Sequence, residues 1–375
     1  MKFKLLTTIA LGVLAGMSSL AYSAETEKAE FPIGFYSADP ANETTFSRIK
    51  ELGGNYVHTY GMGHDNVRDK RFLDLAQKYN LKVLFNLRGR DWVKKTDNTV
   101  AFKATINKFK DHPALGMWYL YDEPNPKLLP KLRILYDIIK AESPDVPVAL
   151  VTPWVTYWYR LARVTDILMV DNYPVRDQVF PNAPVNNIVN FTSRAINQKK
   201  PVIPVFQAIH WKIFAQQLKG KGYNESKYRF PNKQELRYWA FATLCLGVKG
   251  HFYYSYYNAY HRCKGAKWLQ EDLKPVISET KLFTKAVTPS FVPTKKYNFD
   301  KQKVLAGIWK AKNKSFMVVV NNSDKARNLE LELPGISSKL IPWGDSRKVS
   351  TKVRGNKLSI SDKVNPWEVL IWNLK

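Results

Sequence analysis

A chain of 375 residues, 45% of them hydrophobic, has apolar material for a large core, which excludes a disordered or fibrous protein and suits one big domain with a smaller one. A formal net charge of +26 points to an acidic polysaccharide, an anionic surface, or lysines spread over solvated faces. No compact Lys/Arg run or nucleic-acid module accompanies it, so a nucleic-acid partner is not expected.

The first residues have the pattern of an export signal. Lys2 and Lys4 precede a largely apolar run over 5–20, and Ala21-Tyr22-Ser23-Ala24 offers small residues for cleavage. Residues 1–24 are therefore read as a signal peptide, and the protein as exported, periplasmic or extracellular. The apolar run is short for a membrane span, so no membrane insertion is expected after cleavage.

Eight short apolar runs follow, at 33–37, 55–60, 82–86, 116–121, 147–151, 166–170, 202–206 and 250–254. Helical spacing of apolar residues separates them, as in Phe46, Ile49 and Leu52, or Phe72, Leu75, Ala76 and Tyr79. Strand and helix alternating eight times predict an α/β fold, a (β/α)8 TIM barrel over residues 25–287. A doubly wound sheet would show a Gly-rich loop after its first strand, and Phe35-Tyr36-Ser37-Ala38-Asp39 is not one. From 288 to 375 the pattern changes to strands near 304–309, 316–321, 329–333 and 369–372, with turn signals between them. These predict a small antiparallel β-sandwich with Trp309, Trp367 and Trp372 in its core.

Function in such a barrel sits at the carboxyl ends of the strands. Those ends are polar and aromatic here, and the fourth stands out: Trp118-Tyr119-Leu120-Tyr121-Asp122-Glu123-Pro124-Asn125. Adjacent carboxylates end a buried strand. A purely structural account makes Asp122 a helix N-cap, with Pro124 opening the helix.

This segment resembles the fourth strand of clan A glycoside hydrolases, in which a W-x-L-x-D/N-E-P stretch carries the acid/base glutamate; Asp171-Asn172-Tyr173-Pro174 at the sixth strand adds to the resemblance. The resemblance implies that Glu123 is the general acid of a hydrolase acting on O-glycosyl bonds of a polysaccharide or oligosaccharide. A carboxyl in a partly apolar site keeps its proton towards neutrality and can deliver it to a leaving oxygen.

The pattern breaks at the seventh strand. Where clan A places its nucleophilic glutamate this chain has Gln207, kept here as a substrate-binding candidate. Three accounts stay open: Asp171 is the second carboxylate; Asp122 orients a group of the substrate; or the barrel binds glycan without cleaving it. A polysaccharide lyase is a further alternative. Tyr60, Trp154, Tyr173, Trp211 and Tyr256 are candidates to stack on sugar rings, and Arg88, His210 and Lys212 to bind an acidic group. The long segment 209–231 is read as a binding wall or lid. No metal-ligand spacing is present, and no cofactor is expected. Cys245 and Cys263 are expected at opposite ends of the eighth strand and hence unpaired. Oligomeric state is not legible.

Overall fold

The computed structural model describes residues 30–60, 66–97, 99–175, 185–214, 228–288, 290–299, 301, 303–311, 313–336 and 338–375. The expected signal peptide and most of the segment 209–231 lie outside the described residues.

Eight parallel strands close into a barrel in chain order: β1 (Ile33–Phe35), β2 (Tyr56–His58), β3 (Lys82–Asn86), β4 (Leu115–Asp122), β5 (Val148–Val151), β6 (Ile167–Asp171), β7 (Val202–Gln207) and β8 (His251–Tyr254). Each coincides with one of the eight apolar runs. Alternation along the strands sorts their side chains. Ile167 and Met169 of β6, Ile203 and Val205 of β7, and Phe252 of β8 fill the barrel interior. Leu168 and Val170 face outward, as do Phe206 and Tyr253. The interior is tight: a Cβ on Gly34 would lie 2.3 Å from the Phe252 ring, so a glycine in β1 is what admits that phenylalanine beside the closing β1–β8 pair.

The surrounding helices follow the predicted periodicity. Glu43–Glu51 starts at Asn42, whose side chain accepts from the Thr45 amide. Lys233–Leu246 opens with a capping box between Asn232 and Glu235, and Arg229 clamps the Glu235 carboxylate with two bonds of 2.7 Å. Such caps satisfy amides that the first turn leaves without partners.

After the helix Lys274–Ala286 the chain forms two antiparallel sheets. One has the order β13-β16-β11-β10-β9, from β9 (Lys295–Phe299), β10 (Val304–Ala311), β11 (Lys314–Asn321), β13 (Leu340–Pro342) and β16 (Val369–Leu374). The other has the order β12-β15-β14, from β12 (Arg327–Pro334), β14 (Ser350–Arg354) and β15 (Lys357–Val364). Val304, Ala306 and Ile308 look into the sandwich, whereas Leu305 and Trp309 belong to the barrel's core.

This corrects the expected tryptophan core. Trp372 alone of the three fills the sandwich; Trp309 and Trp367 pack against the barrel helices. A sheet buried on both faces needs large side chains on its outer face as well, and composition does not tell the faces apart. Cys245 and Cys263 are buried and free. Cys245 lies against the sandwich near Val318, and Cys263 near the His210 carbonyl at the other end of the barrel. No helix among the described residues is long and apolar enough to cross a membrane.

Candidate active site

Two local irregularities bring adjacent carboxyls into one cavity. Along β4, Met117 and Tyr119 face the interior, but the register against β5 shifts between Tyr119 and Tyr121. Leu120 and Tyr121 then both turn outward, which returns Asp122 to the inner face. The next residue, Glu123, has φ 49, a left-handed conformation that costs a non-glycine residue about 1–2 kcal/mol. Its amide is held by the Val151 carbonyl at 3.1 Å. Backbone strain of this kind persists where surrounding structure over-determines it and concentrates at functional sites. Gly89 admits the bulge: a Cβ there would sit 2.0 Å from the Leu120 carbonyl oxygen. The helix-cap account of Asp122 does not hold, because Asn125 caps the following turn by accepting from the Lys127 amide.

The cavity at the carboxyl ends of the strands measures about 240 Å³ and is lined by Tyr36, Tyr60, Asp122, Glu123, Val151, Asp171, Tyr173, Phe214 and Tyr254. By liquid volume that is space for about eight waters, the scale of one sugar ring. Its floor is aromatic. Tyr36 stacks on His58 at 4.3 Å and meets Tyr60, Tyr119 and Tyr254 edge-on or tilted, and Tyr173 stacks on Tyr254 at 5.2 Å. Asp122 accepts from the phenols of Tyr60 at 3.0 Å and Tyr119 at 2.7 Å, and Arg90 approaches it at 3.9 Å from outside.

The carboxyls of Glu123 and Asp171 are within hydrogen-bonding reach of each other. Asp171 is 5% exposed, and its Oδ1 has no hydrogen-bond partner; Glu123 is exposed at the cavity mouth, though protein crowds its carboxyl. Burial, then the negative charge of Asp122, raises the pKa of Glu123, against a smaller lowering by the bond from Asp171 and by Arg90. Burial, the charge of Glu123 and the bond to it push Asp171 well above the usual carboxylate range. Two carboxyls so placed cannot both ionise, and the pair titrates as a unit. Burial raises every phenol of the floor, Tyr254 to about 12, so each stays a hydrogen-bond donor.

Of the residues singled out from sequence, Asp122, Glu123, Asp171, Tyr60 and Tyr173 meet at this cavity. The others do not line it. Gln207 is fully buried, with Nε2 donating to the carbonyls of Val175 at 2.9 Å and Ile209 at 3.1 Å and Oε1 accepting from the Val175 amide at 2.9 Å. It ties the loops after β6 and β7 together, so it is a structural clamp and not a substrate ligand. Tyr256 is buried against Tyr260, because the chain turns into a helix after Tyr254 and inward alternation ends there. Arg88 pairs with Asp91 at 3.1 Å. His210 packs on Tyr228 and Phe230 and accepts from the Lys212 amide. Trp211 leans on Phe214, which does line the cavity. Trp154 is exposed and is not part of the cavity lining.

Tyr36, Val151, Phe214 and Tyr254 were missed. Strand parity marks three of them, since Tyr36, Val151 and Tyr254 share the inward phase of Gly34, Ala149 and Phe252. Phe214 follows β7 in a short helical turn, where no periodicity points to it. Among the described residues the cavity lining has no basic side chain, and Arg90 reaches Asp122 at 3.9 Å from outside it.

A closed parallel barrel with its cavity at the strands' carboxyl ends, backed by a β-sandwich, is the architecture of glycoside hydrolase barrels. Solved structures with this fold include one described only as a glycoside hydrolase, at TM-score 0.59 and 16% identity over 92% of both chains. A glycoside hydrolase of family 5 from Bacteroides vulgatus aligns at TM-score 0.60 and 15% identity, over 92% of this chain and 89% of that one. The α-amylase of Geobacillus thermoleovorans aligns at TM-score 0.57 and 10% identity, over 94% and 99%. No family model and no curated protein sequence matches the chain.

Proposed function

We propose that this chain is an exported glycosidase in which Glu123 hands a proton to the glycosidic oxygen, with Asp171 sharing that proton from behind. The observation that carries the reading is the contact between an accessible and a buried carboxyl in one cavity. Such a pair keeps one proton at a pH where an isolated carboxyl has lost it. Glu123, at the mouth, is the member a leaving oxygen meets. When the proton leaves, the pair gains negative charge as the sugar carbon becomes cationic, so the attraction is strongest in the transition state. Asp122, fixed by two phenols, orients the attacking water or a neighbouring group of the sugar.

In this reading Asp171, whose interaction with Glu123 couples their protonation, acts on the proton that Glu123 hands over. Three carboxyls line the cavity, which favours an uncharged or basic unit there. Export rests on the pattern of residues 1–24.

Glu123→Gln preserves volume and removes the proton. Turnover of neutral polysaccharides, followed by reducing-end release, is expected to fall at least about 100-fold with little change in melting temperature. Near wild-type turnover in that variant would end the assignment. A second reading, a glycan-binding barrel without catalysis, is favoured by the engagement of Gln207 where a nucleophile is expected. Glycan binding with no product from any substrate would select it.

A further inference from the structure

We propose that Tyr119, which lies outside the cavity, is a positioning residue of the site: its phenol holds Asp122 as an oriented carboxylate, the form in which Asp122 steers a water or a sugar group towards the reacting carbon. What the carboxylate does in turnover rests on the glycosidase reading. What Tyr119 does to the carboxylate rests on geometry.

In a regular strand, residues three apart point to opposite faces. The irregularity in β4 turns Leu120 and Tyr121 outward together, so Tyr119 and Asp122 share the inner face. The Tyr119 phenol thereby donates to Asp122 Oδ1 at 2.7 Å, and from beyond β2 Tyr60 donates to Oδ2 at 3.0 Å. The two phenols differ in access. Tyr60 lines the cavity, where a ligand touches it, whereas Tyr119 is fully buried and is not part of the lining. Tyr119 therefore acts on a ligand only through its partners, of which Asp122 is the charged one.

The Tyr119 ring stands edge-on to His58 at 4.4 Å and to Tyr36 at 6.1 Å, with no exposed surface. A close-packed interior leaves it no room to swing its hydroxyl to water. Burial raises this phenol well above its ordinary range, so it keeps its proton and donates. A hydrogen bond to a charged acceptor is roughly twice as strong as one to a neutral acceptor. Protonating Asp122 would also put a hydrogen on an oxygen that already accepts one. Both effects favour the carboxylate. The other groups facing Asp122 pull both ways. Glu123 and Asp171 add negative charge when ionised; Arg90 opposes them from 3.9 Å, but it is 68% exposed and solvent screens it. Tyr36 and Tyr254 also face the carboxylate, and burial keeps both phenols neutral. Of these groups, Tyr60 and Tyr119 are the ones that hydrogen-bond to it.

The test compares wild type, Tyr119→Phe, Asp122→Asn and the double variant, all as the full chain. One readout needs no substrate. With aspartate carboxyls labelled with carbon-13, the Asp122 signal, assigned by its loss in Asp122→Asn, is followed by NMR from about pH 3 to 8. Losing one donor to the charged form should move its midpoint up by about one pH unit in Tyr119→Phe; an unmoved midpoint overturns the proposal. The second readout is reducing-end release from soluble glucan, xylan and mannan. In Tyr119→Phe, kcat should fall about tenfold with KM little changed, and the acid limb of its pH profile should move up with the midpoint. Adding Tyr119→Phe to Asp122→Asn should change kcat by less than about twofold; an equal loss in both backgrounds would make Tyr119 a packing residue only. Tyr253→Phe, which removes a buried phenol from the barrel's outer side, should leave midpoint and kcat at wild-type values. If none of the three polysaccharides is cleaved, the midpoint decides alone. Wild-type turnover in Glu123→Gln would sink the glycosidase reading, and a midpoint that still moves tells that failure apart from a failure of the Tyr119 contact.

Discussion

Gln207→Glu is the substitution that the clan A resemblance invites, because it places a carboxyl where that family keeps its nucleophile. The clamp predicts the reverse of a gain. A carboxylate would still accept from the Val175 amide, but its second oxygen would oppose the carbonyls of Val175 and Ile209, which now receive bonds of 2.9 and 3.1 Å. Each buried acceptor left without a donor costs about 1–3 kcal/mol, so two lost bonds cost about 2–6 kcal/mol. Taking up a proton restores one bond and avoids burying a charge, leaving a loss of about 1–3 kcal/mol at acid pH, to which holding that proton at pH 7 adds about 4 kcal/mol. The new carboxyl's pKa must then lie above its unfolded value of about 4.3. The folded variant binds the extra proton, so its deficit against wild type is smallest below about pH 4 and grows as pH rises through the folded pKa. Denaturant unfolding of both proteins from pH 4 to 8, with turnover measured alongside, checks this. A variant as stable as wild type at pH 8 that gains turnover, or that traps a covalent glycosyl intermediate, refutes the clamp.

Three further outcomes are expected. The raised pKa of Asp171 means that wild type loses stability as pH climbs from about 4, so Asp171→Asn should gain stability relative to wild type between pH 4 and 8; a pH-independent difference by thermal unfolding would count against the shared proton. Gly89→Ala forces a Cβ to within 2.0 Å of a backbone oxygen and should cost about 2 kcal/mol or more, together with turnover, because the bulge that aims Asp122 must move; an unchanged melting temperature would contradict this. Titration in denaturant without reductant should find two thiols per chain, and both should react slowly in the native protein, since burial pushes the Cys245 and Cys263 thiols up; fewer than two would reveal a crosslink.

The barrel was legible because its information is local. Eight apolar runs, each separated from the next by helical spacing, leave little choice of architecture, and β4 ends in a segment whose carboxyls announce themselves. Part of the site was legible by parity as well. Tyr254 shares the inward phase of Phe252, but reading the strand end by position and not by phase selected Tyr256, which the departing chain carries outward.

What sequence alone determined, then, is the order of elements, the closed parallel sheet and the placement of Glu123 and Asp171 on its carboxyl rim. Tertiary structure decided the chemistry of that rim. The bulge that puts Asp122 beside Glu123 depends on register against β5 and on the space at Gly89. The shared proton depends on two strands bringing carboxyls 48 positions apart into contact. Gln207 became a clamp because the loop after β6, 32 residues away, folds over its amide. Such contacts arise from closure of the whole barrel, and no local pattern of residues encodes them.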